Sequence, residues 1–301
     1  MSTEQEIEFS VAMVSYNNEN EISPCLESLL QELHEHSHQI TVVDNHSSDH
    51  TNEIIKQKYL CCKKPGELHF IENKVNLGFT KALNQALKKC VGRYVLVLNP
   101  DTVIKSGSLA TLRNALRENS KIGVVAPQLL HADGTVQPSC RRFPRRRDVM
   151  FELAGLSCLF RKSRLFNAWK MGDFDHLNRR KVDQPQGACL LFSREVLNTV
   201  GYWDERFPMF FSDVDWCRRV KNHGWEILFV PEAKVVHHRG VSILQSRAKM
   251  IWSSHHSFYE YFRKHNKLLV ANEILGGLLL VSAIIRILWT HLAALILKKT
   301  G

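Results

Sequence analysis

The sequence lacks the features that mark several protein classes. Its eight cysteines include no C-x-x-C pair, and its 301 residues contain no internal repeat and no low-complexity tract. These absences argue against a paired-cysteine zinc or redox site and against collagen-like or repeat architectures. Only one segment, near the C-terminus, is long and apolar enough to concern a bilayer, which excludes a polytopic membrane protein. The first ten residues are acidic and polar, unlike a signal peptide, so we expect a cytoplasmic protein.

Positive charge is in excess. The chain has 40 Lys and Arg residues against 30 Asp and Glu residues, a formal net charge of +10. Hydrophobic residues make up 44% of the chain and the mean hydropathy is -0.21, values typical of a globular protein with a sizeable core. The charge indicates an acidic partner, which at this stage includes nucleic acid, anionic lipid, nucleotides and diphosphate substrates.

Apolar runs of strand length alternate with amphipathic helical stretches over the first 130 residues. The pattern predicts strands at 9–14, 40–44, 68–72, 94–98 and 122–126, and helices at 22–36, 48–59, 80–89 and 108–119. Such alternation is typical of βαβ units around a mostly parallel sheet flanked by helices. Ligands of these sheets bind beyond the carboxyl ends of the strands.

Polar residues follow three of the predicted strands. Ser15 and Tyr16 follow the first, Asp44 ends the second, and the sequence Asn99-Pro100-Asp101 follows the fourth. Parallel strands would bring these acceptors and carboxylates to one edge of the sheet. The alternative is that each group is an ordinary Asn/Asp turn.

The alternation stops in a basic region at 138–181, where a helix is expected at 148–160. Five arginines fall at 141, 142 and 145–147. Arginine forks suit phosphate oxygens, so we expect this region to meet a lipid-linked diphosphate or an anionic membrane surface. A solvated loop is the alternative. Regular structure resumes with a strand at 187–193, a helix beginning near Glu195, and strands at 227–230 and 233–236.

Two carboxylates lie in the aromatic segment 210–219. Ser212 and Asp215 have the spacing of a capping box, which gives Asp215 a structural explanation. Asp213 is then placed at the first helical position, where the helix dipole favours its ionised form and it can accept a proton from a hydroxyl. Asp101, with either His237 or His238, has the chemistry to hold a divalent cation.

Five ordered motifs carry a family resemblance. They are V-S-Y-N at 14–17, D-N-H-S-S-D-H-T at 44–51, N-L-G-F-T-K-A-L-N at 76–84, L-N-P-D at 98–101 and S-D-V-D-W-C-R-R at 212–219. The chain from about residue 9 to about residue 245 resembles the GT-A glycosyltransferases of family 2. The nearest likeness is to the bacterial rhamnosyltransferase-like branch, whose members elongate cell-surface polysaccharide. The resemblance implies an α/β GT-A (nucleotide-diphospho-sugar transferase) fold at 1–250, followed by an apolar helical tail at 251–301.

The resemblance also implies residue roles. The implied donor-side residues are Ser15, Tyr16, Asp44, Asn76, Lys81 and Asn99, with Asp44 binding the nucleotide base. Asp101 is the implied ligand of Mg or Mn, His237 an additional ligand with Ser242 ending its motif, and Asp213 the catalytic base. The residues expected on the acceptor or phosphate side are Arg141, Arg142, Trp203 and Asp215. Ser212 and Asn99 stand where the family usually has acidic residues, so we expect weaker metal affinity.

The implied activity is inverting, metal-dependent transfer of a sugar from a nucleotide diphosphate to a hydroxyl of a lipid-linked saccharide. Rhamnose from dTDP-rhamnose is favoured by the branch, and UDP-hexoses remain open. One alternative is an inactive nucleotide-sugar binding module, suggested by Ser212 and Asn99. Another is a basic nucleic-acid-binding protein, although no nucleic-acid-binding motif supports it and we expect no nucleic-acid partner.

The apolar tail at 274–297 has three possible arrangements. Its length could span a bilayer, but Arg286 lies in its middle and Gly276-Gly277 could break the helix. We therefore expect a surface helix or shallow hairpin, with packing on protein as the alternative. The expected location is peripheral or monotopic on the cytoplasmic face of the inner membrane, and the oligomeric state is left open.

Overall fold

The computed structural model describes residues 6–60, 68–238 and 247–299. The strands are β1 (Phe9–Ser15), β2 (His38–Asp44), β3 (Leu68–Glu72), β4 (Tyr94–Leu98), β5 (Thr102–Ile104), β6 (Ile122–Leu130), β7 (Val136–Gln137), β8 (Cys140–Arg141), β9 (Arg180–Val182), β10 (Gln184–Pro185), β11 (Cys189–Ser193) and β12 (Glu226–His237). The α-helices are α1 (Ile22–Leu33), α2 (Thr51–Ile55), α3 (Phe79–Leu87), α4 (Ser108–Arg117), α5 (Arg146–Leu153), α6 (Leu156–Leu159), α7 (Arg194–Val200), α8 (Ser212–Asn222), α9 (Arg247–His265) and α10 (Leu269–Lys299). A π-helical turn, Lys56–Leu60, continues α2.

The main sheet has the strand order β3-β2-β1-β4-β11-β6-β12-β5. Strands β1 to β4 are mutually parallel, and β6 is parallel to β12. Strand β11 lies antiparallel between β4 and β6, so it joins the two parallel halves. The predicted mostly parallel sheet with flanking helices is therefore confirmed. In this register Ser15 lies beside Asp44, which places the ends of β1 and β2 together.

The core lies on both faces of the sheet. In β1, Val11 and Met13 pack on one face with the buried sides of α1 and α4, while Ala12 and Val14 pack on the other with α3, α7 and α8. Successive side chains of a strand point to opposite faces, so a strand covered on both sides needs a continuous apolar run. This explains why β1 has no alternating polar residues between Val11 and Val14.

Predicted and observed bounds coincide for one strand at the edge of the sheet and one in its interior. Strands β3 and β4 have the predicted bounds. The helix predicted at 148–160 is divided into α5 and α6 at Gly155, which adopts a φ of +73°. The two strands predicted at 227–230 and 233–236 form the single strand β12, with a register shift between Val230 and Lys234. Such an irregularity accommodates Pro231, which has no N–H to donate.

The helices α9 and α10 form a hairpin that packs on the segment 207–214. Tyr261 and Phe262 of α9 lie in one apolar cluster with Phe207, Phe211 and Val214. Helix α10 runs unbroken through its two glycines, so the expected break at Gly276-Gly277 is wrong. The close packing of α9 explains Gly276, because a Cβ there would lie 2.7 Å from two ring carbons of Tyr259.

Helix α10 buries one narrow face and exposes a broad apolar one. The buried side chains recur at helical spacing and are Asn272, Leu275, Leu279 and Ala283. The exposed ones include Ile274, Val281, Ile285, Leu288 and Trp289. By length and composition alone, the segment Leu269–Thr290 could cross a membrane. A contiguous exposed apolar face of this kind usually meets another protein or a lipid surface.

Candidate active site

Asp213 is the second residue of α8 and is held by three donors. Its Oδ2 accepts hydrogen bonds from Gln184 Nε2 and from the backbone N–H of Gly187, both at 3.1 Å. Its Oδ1 accepts from the N–H of Val214 at 2.9 Å. The side chain is only half-buried, and its position at a helix N-terminus matches the preference of that end for a carboxylate.

Burial has the largest influence on the pKa of Asp213 and raises it above the ordinary value of 3.8. The N–H groups of Gly187 and Val214 and the charge of Arg141 lower the pKa, but by less. The N-terminus of α8 thus favours the ionised form, in the predicted direction, but the removal of water outweighs it and the net pKa is raised. A carboxylate with a raised pKa is a stronger proton acceptor.

Gly187 allows the backbone to approach this carboxylate. A Cβ at residue 187 would lie 3.1 Å from the Cβ of Asp213, closer than most real contacts. Gln184, which was not predicted as a site residue, reaches Asp213 because β10 pairs with β8 in a small two-stranded sheet. Neither strand shows a periodic signal in the sequence, since each has only two residues.

The same segment joins Asp213 to the Asn99-Pro100-Asp101 motif. While Gly187 donates to Asp213, the next residue, Ala188, accepts a 2.8 Å hydrogen bond from the N–H of Asn99. Residues 187 and 188 thus bring the candidate base to the end of β4. This contact gives the physical link between two motifs that are more than a hundred residues apart.

His237 lies beside Asp101, with its Nε2 3.5 Å from Asp101 Oδ1. His238 instead donates its backbone N–H to the carbonyl oxygen of Asp101, and its side chain is exposed. Of the two histidines that the sequence left open, the structure therefore directs His237 toward Asp101.

The environment of His237 is suited to a metal ligand. Its Nδ1 lies 2.8 Å from Gln137 Oε1, an acceptor; a proton on Nδ1 would make this contact a hydrogen bond and leave Nε2, on the Asp101 side, as the nitrogen that could ligate a metal. Ligating histidines usually donate their other ring N–H in this manner. An oxygen and a nitrogen acceptor facing each other fit a divalent cation. Within 6–60, 68–238 and 247–299, no group of three or more His, Cys, Asp or Glu side chains forms a fuller set.

The ends of β1 and β2 form a hydrogen-bonded unit around Asp44. Its carboxylate is fully buried and accepts from the hydroxyls of Ser15 at 3.1 Å and Ser47 at 2.6 Å, and from the N–H of Ser47. Tyr16 is half-buried directly after β1. The structure brings Ser15, Tyr16 and Asp44 together as predicted, but their contact with a nucleotide base stays a prediction.

A second unit connects β2 to the start of α3. Asn76 Oδ1 accepts from Asn45 Nδ2 at 3.0 Å and from the N–H of Gly78 at 2.9 Å. Asn45, which was not among the predicted site residues, also accepts from the N–H of Leu77. Lys81 is exposed on the first turn of α3, so its predicted contact with the donor stays open.

On the proposed acceptor side, Arg141 and Arg142 have different environments. The Arg141 guanidinium lies 5.1 Å from the ring centroid of Trp169, and its charge acts on Asp213. Arg142 donates to the carbonyl of Ala168 at 2.8 Å and lies 3.7 Å from Asp173. Arg141 is thus near the candidate base, whereas Arg142 braces the basic region.

Two predicted acceptor residues are in the interior, and those predictions are wrong. Trp203 is 3% exposed and stacks on Trp216 with ring centroids 4.0 Å apart. Asp215 is fully buried and pairs with Lys264 and His265 of α9, each at 2.7 Å. Neither side chain can meet an acceptor without unpacking the core.

The capping box predicted from Ser212 and Asp215 does not form. Phe211 occupies the N-cap position with a φ of +68°, so Ser212 is already the first helical residue and no side chain caps the helix. The positive φ turns Phe211 toward the aromatic residues of α9, where its ring centroid lies 4.3 Å from that of Phe258. Ser242 of the histidine motif lies outside the described residues.

Comparison with known proteins identifies the family. The sequence model described as "Glycosyl transferase family 2" matches residues 10–200. An N-acetylglucosaminyl-diphospho-decaprenol L-rhamnosyltransferase of Mycobacterium tuberculosis is 28% identical over 239 residues, covering 73% of each chain. The low-salt glycan biosynthesis hexosyltransferase Agl10 of Haloferax volcanii is 24% identical over 96% of this chain and 82% of its own length.

Solved structures support the fold. The mannosyltransferase PcManGT of Pyrobaculum calidifontis, solved with GDP-Man and Mn2+, superposes with a TM-score of 0.56 and 17% identity, covering 99% of this chain and 80% of its own. The TarS 1-349 structure from S. aureus superposes with a TM-score of 0.52 and 17% identity, covering 92% of this chain and 71% of its own. With the fold, the ordered motifs and the family match in agreement, the chain belongs to glycosyl transferase family 2 and is a glycosyltransferase of GT-A fold.

Proposed function

We propose that this enzyme transfers a sugar, rhamnose from dTDP-rhamnose being the first candidate, to a hydroxyl of a lipid-linked saccharide, with inversion and with the aid of a divalent cation. The observation that carries the proposal is the carboxylate of Asp213, oriented by Gln184 and Gly187 beside the end of β4. The relative from M. tuberculosis, whose name specifies both rhamnose and a diphospho-decaprenol acceptor, supports the substrate classes.

In the proposed mechanism, Asp213 removes the proton from the acceptor hydroxyl. The raised pKa of Asp213, which comes first from burial, makes it an effective acceptor of that proton. The hydroxyl oxygen then attacks the anomeric carbon of the donor sugar from the face opposite the nucleotide diphosphate. A bond to the acceptor oxygen forms as the bond to the leaving phosphate breaks, so one displacement inverts the anomeric configuration.

Asp101 and His237 would hold the cation, as Mg or Mn. Bound there, a divalent ion would stabilise the negative charge that develops on the leaving diphosphate. As acceptor of the His237 Nδ1–H, Gln137 would hold the imidazole in the tautomer whose Nε2 can ligate the cation. Because Asn99 replaces a carboxylate, we expect the site to bind metal weakly until a diphosphate contributes further oxygen atoms.

The donor is proposed to lie along the carboxyl edge of the strands, against Ser15, Tyr16, Asp44, Asn76, Lys81 and Asn99. Strand ends at this edge are the usual ligand position in parallel sheets. Bonds from Asn45 and Gly78 fix Asn76, and bonds from Ser15 and Ser47 fix Asp44, so these positions need little reorganisation on binding.

The broad exposed face of α10 supports attachment to the cytoplasmic face of the inner membrane, either peripheral or monotopic. Its side chains Ile274, Val281, Ile285 and Leu288 are all exposed and apolar. A lipid-linked acceptor would be available at that surface. Flotation with liposomes tests this assignment: the wild-type chain should float, and Ile285→Asp/Leu288→Asp should remain in the soluble fraction.

The function is tested by thermal-shift measurements with a panel of nucleotide sugars, with and without Mn. Stabilisation rises with ligand concentration relative to Kd, so the screen ranks donors without an acceptor. Asp213→Asn should keep donor-induced stabilisation and lose sugar transfer. Transfer at near wild-type rate by this variant would sink the base assignment, and stabilisation by DNA instead of any nucleotide sugar would support the nucleic-acid alternative.

A further inference from the structure

A small basic cavity lies in the region 142–169, which the mechanism above does not use. Its volume is about 170 Å³, and its lining includes Arg142, Arg145, Arg147, Arg164, Asp148 and Trp169. The arginines come from the turn before α5, from α5 itself and from the segment after α6. Four guanidinium groups around one small cavity suit a ligand with several anionic oxygens.

Arg142 uses one donor for the 2.8 Å hydrogen bond to the carbonyl oxygen of Ala168, whereas most donors of the other three guanidinium groups are not used within the described residues. Arg142 and Arg164 lie 3.7 and 3.5 Å from Asp173, and Arg147 lies 3.8 Å from Asp148. At these distances the opposite charges attract each other, but the atoms are too far apart for well-formed hydrogen bonds. Consistently, one buried oxygen of Asp148 and one of Asp173 have no hydrogen-bond partner among the described residues. The acidic groups therefore offset part of the cavity's charge without using up its donors.

Trp169, one of the lining residues, relates the cavity to both the candidate base and the apolar hairpin. The guanidinium of Arg141, whose charge acts on Asp213, lies 5.1 Å from the centroid of its ring. The same ring packs edge-on against Phe258 of α9, with centroids 5.3 Å apart. The cavity therefore shares a lining residue with contacts to Arg141 and to the hairpin of α9 and α10.

We propose that this cavity binds the diphosphate of the lipid-linked acceptor, an inference that rests on the proposed function. The acceptor sugar would extend toward Asp213, and its lipid chain toward the hairpin. Guanidinium forks match pairs of phosphate oxygens, and a diphosphate supplies two such groups in series.

The binding test uses inorganic pyrophosphate and isothermal titration calorimetry on the full chain. A chelator is present throughout, so that the proposed cation-dependent donor site is silent. The wild type and the control Arg161→Gln, an exposed arginine of the same region, should bind. Arg145→Gln/Arg164→Gln should lose about tenfold or more in affinity, since it lacks two charge-assisted donors. Equal affinity in all three proteins, or no binding to the wild type, would overturn the proposal.

The kinetic test separates this site from the donor site. With a short-chain N-acetylglucosaminyl diphospho-prenol as acceptor, the double variant should show a raised acceptor KM and an unchanged donor KM. With the octyl glycoside of the same sugar, which has no diphosphate, the variant and the wild type should have the same KM. An equal penalty on both acceptors would overturn the proposal, because the effect would not depend on the diphosphate.

Two further outcomes have distinct meanings. If the wild type transfers no sugar to any lipid diphosphate while pyrophosphate binding still depends on Arg145 and Arg164, the proposed function fails and the anion site stands. If the double variant loses only its binding to vesicles of phosphatidylcholine and phosphatidylglycerol, the cavity meets phospholipid headgroups and the acceptor assignment is wrong. Thermal unfolding of each variant, expected within about 0.5 kcal/mol of wild type for exposed substitutions, shows that the protein is folded.

Discussion

Replacement of Asp215 by Asn tests how the C-terminal hairpin is attached to the catalytic helix. Asp215 is fully buried on α8 and lies 2.7 Å from both Lys264 Nζ and His265 Nε2 of α9, and 3.0 Å from Arg219 Nε. Burial alone would raise its pKa, but the hydrogen bonds from His265 and Lys264 and the nearby positive charges outweigh it, so the net pKa is lowered. The carboxylate is thus ionised and is the common partner of Lys264, Arg219 and the ring N–H of His265.

The expected cost follows from what each cation retains. Removing one member of a buried ion pair costs about 3–5 kcal/mol, because the other charge is left without its counter-charge. Here Lys264 still lies 2.6 Å from Asp204, and Arg219 still donates to two backbone carbonyls. We therefore expect the lower end, about 3 kcal/mol. For a domain of about 250 residues this corresponds to a fall in Tm of about 6–12 °C.

Thermal and urea unfolding of the full chain measure this change. The matched control is Glu118→Gln, which removes an exposed carboxylate 2.7 Å from Arg179 and should cost less than about 1 kcal/mol. Limited proteolysis should release the α9–α10 hairpin earlier in Asp215→Asn than in the control. A loss below about 1 kcal/mol for Asp215→Asn would refute the reasoning, since it would mean that the buried charges do not depend on one another.

The same ion group makes a prediction about pH. Because the folded-state pKa of Asp215 is lowered below its ordinary 3.8, the carboxylate adds stability that is present above that value and lost as pH falls through the folded pKa. An acid titration of unfolding free energy should therefore decline more steeply for the wild type than for Asp215→Asn. Parallel acid limbs for the two proteins would contradict the assignment.

Three further predictions concern the active site and the hairpin. Gly187→Ala should lower kcat by about ten- to a hundredfold and leave donor binding unchanged. The new Cβ would lie 3.1 Å from the Cβ of Asp213 and displace the Asp213 carboxylate. A kcat equal to that of the wild type would contradict this prediction. Gln137→Ala should lower the apparent Mn affinity, measured from Mn-dependent thermal stabilisation, by about 10–100-fold, because Gln137 orients His237. An Mn titration equal to that of the wild type would argue against His237 as a ligand. Gly276→Leu should lower the Tm, because the Cβ alone would lie 2.7 Å from the ring of Tyr259 in α9. A Tm equal to that of the wild type would show that α9 and α10 can separate without loss of stability.

Much of the fold follows from local pattern. The continuous apolar run at 94–98 predicted β4 with its observed bounds, because a strand that is buried on both faces needs apolar side chains at successive positions. The edge strand β3 also has its predicted bounds, although His69 and Glu72 are exposed. Boundaries were less certain where the backbone is irregular. The predicted helix at 148–160 is two helices because Gly155 adopts a left-handed conformation, and local helix propensity does not determine that turn.

The errors at the site have one physical cause. The spacing of Ser212 and Asp215 allowed a capping box, and Asp215 and Trp203 were expected near the acceptor. In the structure, residues distant in sequence determine all three: aromatic side chains of α9 draw Phe211 into the cap position, Lys264 pairs with Asp215, and Trp216 stacks on Trp203. These contacts could not be predicted from neighbouring residues, because their energy comes from burial against helices that are distant in sequence. The periodic pattern of the sequence does not say where those helices pack.

The sequence by itself determined the βαβ order, the strand ends that carry Ser15, Asp44 and Asp101, and the family, because these depend on local periodicity and on short ordered motifs. Only the tertiary structure decided which groups orient Asp213, that His237 faces Asp101, and how four arginines come to share one cavity. Those outcomes depend on long-range packing and on the removal of water from charged groups. Neither effect is encoded in the spacing of residues along the chain.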